Sequence, residues 1–285
     1  MSSVEQHYDA ILQKSKRQRF ESPVIRLFRA NNTVKRMLYD QHGPPAGGIH
    51  VELGCGKGGD TGKAGALLRK TGTLIAVDLS LNSIIEAKRR LQEAGPDMPV
   101  CHFIRDDMTN PLLWRTLDRH LDKNRVLPGT VNSVSCHFAL HYAWDTRNHA
   151  QMVFWNAAAR LKPGGTFVCT IVDWPGLVTR MAGRPRIGNE FYSVSMPESS
   201  IVPETDEFVA RPYIFSLVDS VVGCNEYGIP HGQLCAIAQE TGFTVHRQAI
   251  PFPDILAGNR IMWQLMTESE QEICSLYAAW VFIRK

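Results

Sequence analysis

Ile49-His50-Val51-Glu52-Leu53 runs straight into the glycine-rich turn Gly54-Cys55-Gly56-Lys57-Gly58-Gly59, and this junction constrains the chain more than any other feature. Glycine in such a turn tolerates left-handed backbone and lets a ligand approach the main chain closely. A helix through residues 64–68 follows, and the alternation then repeats. Residues 73–77 read as a second strand, Ser80 is placed to cap a helix running to about Ala94, and residues 100–104 form a third strand. Residues 112–121 are helical and 131–136 make a fourth strand. A helix over about 146–161 leads through Lys162-Pro163-Gly164-Gly165 into a fifth strand, 166–172. Strands separated by helices at this pace predict βαβ units, a parallel sheet and right-handed crossovers.

Additions flank this core. Residues 1–47 form an N-terminal extension, helical from Pro23 through Leu38 and closed by the breaker cluster Gly43-Pro44-Pro45-Ala46-Gly47-Gly48. Residues 48–173 are the alternating core. Residues 174–230 read as an insertion, with β-rich pieces at 191–194 and 213–217. Residues 231–285 return to the sheet, with a helix at 232–240 and strands at 243–250 and 277–283. The 285 residues suit one domain with a substantial core. A net charge of +3 excludes binding nucleic acid by bulk electrostatics but leaves room for a local basic groove. The seven cysteines are isolated and none forms a C-x-x-C pair, which points away from a zinc site or disulfide framework and toward a reducing, intracellular setting. The Asn31-Asn32-Thr33 sequon is then a chance match. No apolar run reaches the ~18–20 residues that span a bilayer, and the polar N-terminus lacks the apolar core of a secretory signal.

Gly54, Gly56 and Gly59 satisfy G-x-G-x-x-G, so a dinucleotide such as NAD is one candidate ligand. Two acids narrow the choice. Asp78 ends the second strand, where a carboxylate takes both ribose hydroxyls, and Asp106 follows the third, where it accepts from an adenine amino group. Glu52, just before the turn, faces a pyrophosphate badly but suits a ligand carrying an ammonium and a sulfonium. The trio favours S-adenosylmethionine over NAD.

Longer blocks carry a family resemblance. Val51-Glu52-Leu53-Gly54-Cys55-Gly56-Lys57-Gly58-Gly59-Asp60 and Val134-Ser135-Cys136-His137-Phe138-Ala139-Leu140-His141-Tyr142 are similar to the signatures of the mRNA cap (guanine-N7) methyltransferases. So are His7-Tyr8-Asp9, Asn31-Asn32-Thr33-Val34-Lys35, Leu161-Lys162-Pro163-Gly164-Gly165, Gly188-Asn189-Glu190-Phe191-Tyr192, Asn225-Glu226-Tyr227-Gly228 and Ser275-Leu276-Tyr277. The resemblance implies an α/β class I (Rossmann-like) S-adenosylmethionine-dependent methyltransferase fold. Its seven-stranded, mostly parallel sheet is flanked by helices and forms a single methyltransferase domain over 1–285. It implies that Lys35, Gly54, Gly56, Asp78, Asp106 and the Ser135–His137 backbone hold S-adenosylmethionine, beside the Glu52 already read from its place before the turn, with S-adenosylhomocysteine as product and no metal. Phe138, His141, Tyr142, Glu226 and Tyr277 surround the guanine. Asn31, Lys57 and Arg90 meet the triphosphate bridge, and Tyr8 closes over it. Capped RNA is the implied partner, alongside a capping guanylyltransferase or triphosphatase, in the nucleus or, for a viral member, a cytoplasmic viral factory. Two positions depart from the pattern: His137 stands where the family commonly has Gln, and Val172 where many members have a Pro lining the cap pocket.

Guanine N7 carries a lone pair and no proton, so methyl transfer to it needs no general base, and none is evident. Positioning by Phe138, His141, Tyr142 and Glu226 carries the reaction instead. A carboxylate facing the N1 and N2 donors reads guanine and favours a base that becomes cationic, while the aromatic rings supply stacking surfaces. Lys14, Lys16, Arg17 and Arg19 form a basic run that reads as a wet face, an RNA contact or an import signal. One of Arg89 and Arg90 is expected to be surface only. The alternatives are a class I methyltransferase for a small metabolite or tRNA, a non-catalytic cap-binding subunit, and NAD-dependent redox chemistry.

Overall fold

The computed structural model describes residues 3–10, 16–121, 126–200 and 207–285. The extension supplies α1 (Ser3–Ala10), α2 (Lys16–Phe20) and the long α3 (Ile25–His42). Lys14 lies outside the described residues, as does the side chain of Tyr8. α3 buries Leu27, Ala30, Val34 and Leu38, at the three- and four-residue spacing that keeps one helix face on the core. It runs up to the breaker cluster, where Gly43 N–H donates back to Tyr39 O at 2.7 Å.

The core then alternates β1 (Ile49–Leu53), α4 (Thr61–Leu68), β2 (Thr73–Asp78), α5 (Leu81–Glu93), β3 (Val100–Arg105), α6 (Leu113–Leu121), β4 (Val131–His137), α7 (Arg147–Ala158) and β5 (Leu161–Val172). Ser80 and Thr146 cap α5 and α7, each hydroxyl accepting a backbone N–H of the first turn. β5 begins earlier than expected. Leu161 pairs with Val131 and Thr166 with Ser133, so the Lys162–Gly165 turn is carried inside the strand as a bulge.

α8 (Trp174–Met181) opens the insertion, and β6 (Arg186–Gly188), β7 (Tyr192–Ser195), β8 (Pro212–Leu217) and β9 (Val221–Tyr227) make a second, four-stranded antiparallel sheet. The chain returns through α9 (His231–Glu240), β10 (Phe243–Pro251), the short helices α10 (Phe252–Leu256), α11 (Arg260–Leu265) and α12 (Glu268–Cys274), and β11 (Tyr277–Arg284). The main sheet has seven strands in the order β10-β11-β5-β4-β1-β2-β3. Its first five strands are parallel, while β11 is antiparallel to both neighbours. Between β1 and β4 the chain order reverses direction, which opens a crevice at the carboxyl ends of the strands.

Three apolar clusters hold the layers together. Trp144, Phe154, Phe167, Phe243, Trp280 and Phe282 pack with α6, α7 and α9 on one side of the sheet. Leu27, Val34, Trp174, Tyr213, Phe215 and Phe252 join α3 and the small sheet to the other. A third cluster seats α4 and α5 through Leu68, Leu74 and Ile84. The hinge between insertion and core depends on Gly228, where an added Cβ would lie 2.2 Å from the Trp174 ring. Gly228→Ala is therefore expected to cost about 1–3 kcal/mol of stability through overpacking, read as a lower midpoint in denaturant unfolding.

Candidate functional site

Two cavities meet at the carboxyl end of the main sheet. The first, of about 430 Å³, lies in the crevice over β1, β2 and β4. Gly54 and Gly56 floor it in left-handed conformation, with φ of 71° and 51°. A Cβ on Gly54 would meet Ala139 Cβ at 2.5 Å, whereas one on Gly56 would meet nothing within 4 Å. The first glycine is thus needed for packing, and the second leaves bare backbone beneath open space. Asp78 closes the end of β2, its two oxygens accepting from Gly56 N–H at 2.7 Å and Ser80 N–H at 2.9 Å. Burial raises its pKa. Asp106 Oδ1 accepts from Asp107 N–H at 2.7 Å and Asn110 Nδ2 at 2.9 Å. Both carboxylates line the cavity, as do Val4 and Glu5 of α1.

Glu52 also lines it, 2% exposed, and its Oε2 is buried with no hydrogen-bond partner. Burial, then the charge of Asp60, pushes this carboxyl well above the usual range. A cationic ligand group supplies what Glu52 lacks. Beside it Asp60, 4% exposed, accepts from Lys35 Nζ at 2.7 Å and Lys63 Nζ at 2.6 Å. Burial opposes its ionisation, but the two ammonium groups prevail and hold it well below the usual carboxylate range. Lys63 Nζ also donates to Asn32 Oδ1 at 2.8 Å, tying α4 to α3.

The second cavity, of about 260 Å³, lies between α3, the end of β4 and the small sheet. Lys35, Phe138 and Tyr142 line both cavities. Phe138 has φ of 55°, a sparsely populated conformation for an aromatic residue, and its N–H donates to Thr170 O at 2.9 Å. Its ring meets Tyr277 edge-on at 5.0 Å, with Lys35 Nζ 5.7 Å from its centre. Glu226, 3% exposed, takes a hydrogen bond from Tyr213 Oη at 2.6 Å. Burial, only partly offset by hydrogen bonds from Tyr213 and Tyr142, pushes its pKa up to about 7. His141 Nε2 stands 3.5 Å from Glu226 Oε1, and burial lowers that imidazole to about 3, so it is neutral. Asn31 Oδ1, on the same wall, is buried without a partner.

The expected residues divide accordingly. Lys35, Glu52, Gly54, Gly56, Asp78, Asp106 and His137 share the first cavity; Asn31, Phe138, His141, Tyr142, Glu226 and Tyr277 share the second. His137 is buried and neutral, with Nδ1 3.3 Å from Thr170 Oγ1. Ser135 does not reach the first cavity. Its hydroxyl is taken by His50 Nε2 at 2.9 Å and Tyr39 Oη at 3.1 Å, around a small void beneath the sheet. Lys57 and Arg90 line neither cavity. They stand together by the glycine turn: burial, then Arg90, lowers the Lys57 pKa, and Glu86 Oε1 accepts from Arg90 Nε at 2.7 Å. Arg89 is the more exposed of the two arginines. Val172 is buried opposite Tyr277 in the β5–β11 ladder and is absent from the second cavity's wall. Asp60, Lys63 and Tyr213 went unread. Asp60 directly follows the glycine turn, which is a usable signal, but nothing local marks Tyr213 as the partner of Glu226.

A family model described as the mRNA (guanine-N(7))-methyltransferase domain matches residues 1–272. Among curated proteins, the chain is similar to the mRNA cap guanine-N(7) methyltransferases of Candida glabrata (31% identity, 87% of this chain and 60% of that one) and Saccharomyces cerevisiae (32%, 87% and 58%). Methyltransferase 1 of Oryza sativa is 30% identical over 83% of this chain and 64% of its own. The chain thus spans about 60% of the length of the curated relatives it matches. Among solved structures, geranyl diphosphate C-methyltransferase from Streptomyces coelicolor, in complex with S-adenosyl-L-homocysteine, aligns with a TM-score of 0.56 at 17% identity over 98% of this chain and 88% of that one. An S-adenosylmethionine-dependent methyltransferase from Clostridium acetobutylicum gives 0.51 at 13% over 94% of each. These likenesses show the class I methyltransferase fold.

Asp60→Asn leaves two buried ammonium groups short of a counter-charge. It is expected to cost about 3–5 kcal/mol in urea unfolding.

Proposed function

Because the chain belongs to the mRNA (guanine-N7)-methyltransferase family, we propose that it transfers a methyl group from S-adenosylmethionine to N7 of the guanine that caps RNA. The observation that carries this reading is the wall shared by the two cavities, formed by Lys35, Phe138 and Tyr142. One cavity suits an adenosyl amino acid and the other a purine, and the same three side chains border both.

The residues present fit S-adenosylmethionine. Asp78 and Asp106 accept from ribose hydroxyls and an adenine amino group, the unpartnered Glu52 takes the ammonium, and Lys35 the carboxylate. Gly56 leaves room for the chain to cross the turn. When bound, this cofactor supplies a methyl group on a positively charged sulfur.

The protein's own residues place and polarise the purine. Glu226 accepts the N1 and N2 donors of guanine, an arrangement that adenine, with a lone pair at N1, cannot match. Tyr213 holds one carboxylate oxygen in place. The neutral His141 adds no positive charge that would oppose a base turning cationic. Tyr142, Phe138 and Tyr277 offer aromatic surface to the ring, and a cationic purine gains further from it. No proton leaves N7, so no base is required. Fixing both reactants against one wall accounts for as much as ~7–11 kcal/mol of barrier lowering. Lys57 and Arg90 lie outside both cavities, by the glycine turn, where they suit phosphates that leave the guanine site. Capped RNA is then the partner, made by a capping guanylyltransferase and triphosphatase. The curated relatives are eukaryotic, which supports work in the nucleus.

Glu226→Gln is expected to reduce methylation of GpppG about a hundredfold or more, at ~1.5–3 kcal/mol per charged hydrogen bond, with S-adenosylhomocysteine binding retained by calorimetry. Undiminished GpppG methylation in that variant would remove the guanine-reading role.

Acidity gives a second test. Glu226 has a folded pKa of about 7, above its ordinary 4.5, so the native state holds its proton more tightly than the unfolded chain. Its contribution to stability therefore falls as pH rises from about 4.5 to about 7. Comparing unfolding free energies at both ends of that window should show a change in the wild type that differs from that in Glu226→Gln by a further fall of order 3 kcal/mol. Cap-analogue affinity should rise with pH through 7, because the guanine donors select the carboxylate.

A further inference from the structure

α2 is five residues long, yet its side chains reach two other helices. Arg17 faces solvent, its side chain 88% exposed, and donates from Nε to Glu21 Oε1 at 2.8 Å. Arg19 turns the other way, to α5. Burial, then the charge of Arg90, lowers its pKa, with Arg89 also opposing its charge and Glu86 and Glu93 favouring it. Lys57, on the glycine turn, is lowered by burial and then by Arg90, and Arg19 acts on it as well. The carboxylates among these described residues, Glu86 and Glu93, are already bonded by Arg89 and Arg90. Arg19, Lys57, Arg89 and Arg90 against those two acids leave the group positively charged, at the place where phosphates leave the guanine site.

Phe20 follows Arg19 and is 56% exposed. A single exposed apolar residue is ordinary, so its neighbours decide what the ring can do. Arg29 of α3 holds its guanidinium carbon 6.0 Å from the ring centre, and the exposed remainder of the ring is open to a second flat partner. Arg29 lies next to Phe28 in the chain and one helical turn from Asn32, and both of these line the second cavity. Phe20 is thus tied to the guanine cavity through Arg29 and to the cationic group through Arg19.

We propose that Phe20, backed by Arg29, stacks the base of the first nucleotide beyond the triphosphate, while Arg19 joins Lys57 and Arg90 on the phosphates. The site rests on the reading of the chain as a methyltransferase of the RNA cap, and it gives that substrate's second nucleoside a place. Guanine held in the second cavity sends its phosphates out past Lys57 and Arg90. Arg19 lengthens that track by one cation, and its guanidinium fork matches phosphate oxygens two at a time. A base comes next along the ligand, and every base has a π face, so one exposed ring accepts all four without reading them. The subsite therefore raises affinity for capped RNA without selecting its sequence. Phe20, Arg19 and Arg29 line neither cavity, so the site is separable from those that hold the cofactor and the guanine.

The test compares kcat/KM for methylation of GpppA with that of an analogue whose adenosine is replaced by an abasic ribose. In the wild type GpppA should be favoured about tenfold. Phe20→Leu keeps apolar bulk without a flat ring and should bring that ratio close to one, whereas Phe20→Trp should preserve or raise it. Arg19→Ala should lower kcat/KM about tenfold for both compounds and leave their ratio as it was. Phe20 is mostly exposed, so the thermal midpoints of its variants should stay at the wild-type value and separate these effects from unfolding. A wild-type ratio near one, a ratio kept by Phe20→Leu, or an Arg19→Ala variant as active as the wild type overturns the proposal while guanine-N7 methylation stands. Methylation of neither compound by the wild type overturns the parent reading, and this one with it.

Discussion

Asp60 sits where three parts of the chain meet, and its carboxylate is balanced by two ammonium groups delivered from different helices. Lys35 comes from α3, in the N-terminal extension, and Lys63 from α4, one turn beyond the glycine loop. A buried carboxylate costs several kcal/mol of lost hydration, which only close and well-aligned counter-charges offset. The extension must therefore dock against the loop for the charge to be tolerated, and Lys63 strengthens the join by reaching Asn32. Once docked, Lys35 borders both cavities and Asn31 enters the wall of the second. The N-terminal helix is thus part of the site, and the glycine loop is held open over unfilled space at Gly56.

Phe138 is the mirror of this arrangement on the other side of the crevice. The left-handed backbone there is costly for a residue with a Cβ, and it persists because β4 ends at that point with its N–H fixed to Thr170 O. The turn lets the chain leave the sheet abruptly, so that His137 faces one cavity, His141 reaches the other and Tyr142 borders both. Strain at one residue thus helps to divide the two cavities.

The alternation of β1 to β5 with helices was legible because short runs rich in β-branched and apolar residues, bounded by glycine, serine and proline, are spaced by longer helical stretches. The insertion was half legible. Its β7 and β8 carry strong β-formers, but β6 is only three residues long and β9 is interrupted by Gly223, Asn225 and Glu226, so neither stands out. Helices α8, α10, α11 and α12 are short, and their apolar residues face neighbours rather than repeating over several turns. The Lys162–Gly165 turn looked like a connection because proline and glycine usually end elements; a bulge in β5 absorbs it. Within the site, Asp78 and Asp106 could be read from their positions at strand ends. The side-chain partners of Ser135 were not legible, because its hydroxyl meets His50 and Tyr39, from β1 and α3, two elements distant in sequence.

By itself the sequence determined the alternation of strands and helices, the glycine loop and the acids at the strand ends, since each is a local pattern, and the family to which the chain belongs, since each of its blocks is local and their order is read along the chain. Only the tertiary structure decided that Asp60 binds two lysines, that Tyr213 holds Glu226, that Lys57 and Arg90 stand apart from both cavities, and that Arg19 and Phe20 of one short helix meet α5 and α3. The reason is physical. Burial and charge balance depend on what packing brings near a group, and these partners are separated by loops and helices whose docking no local pattern encodes.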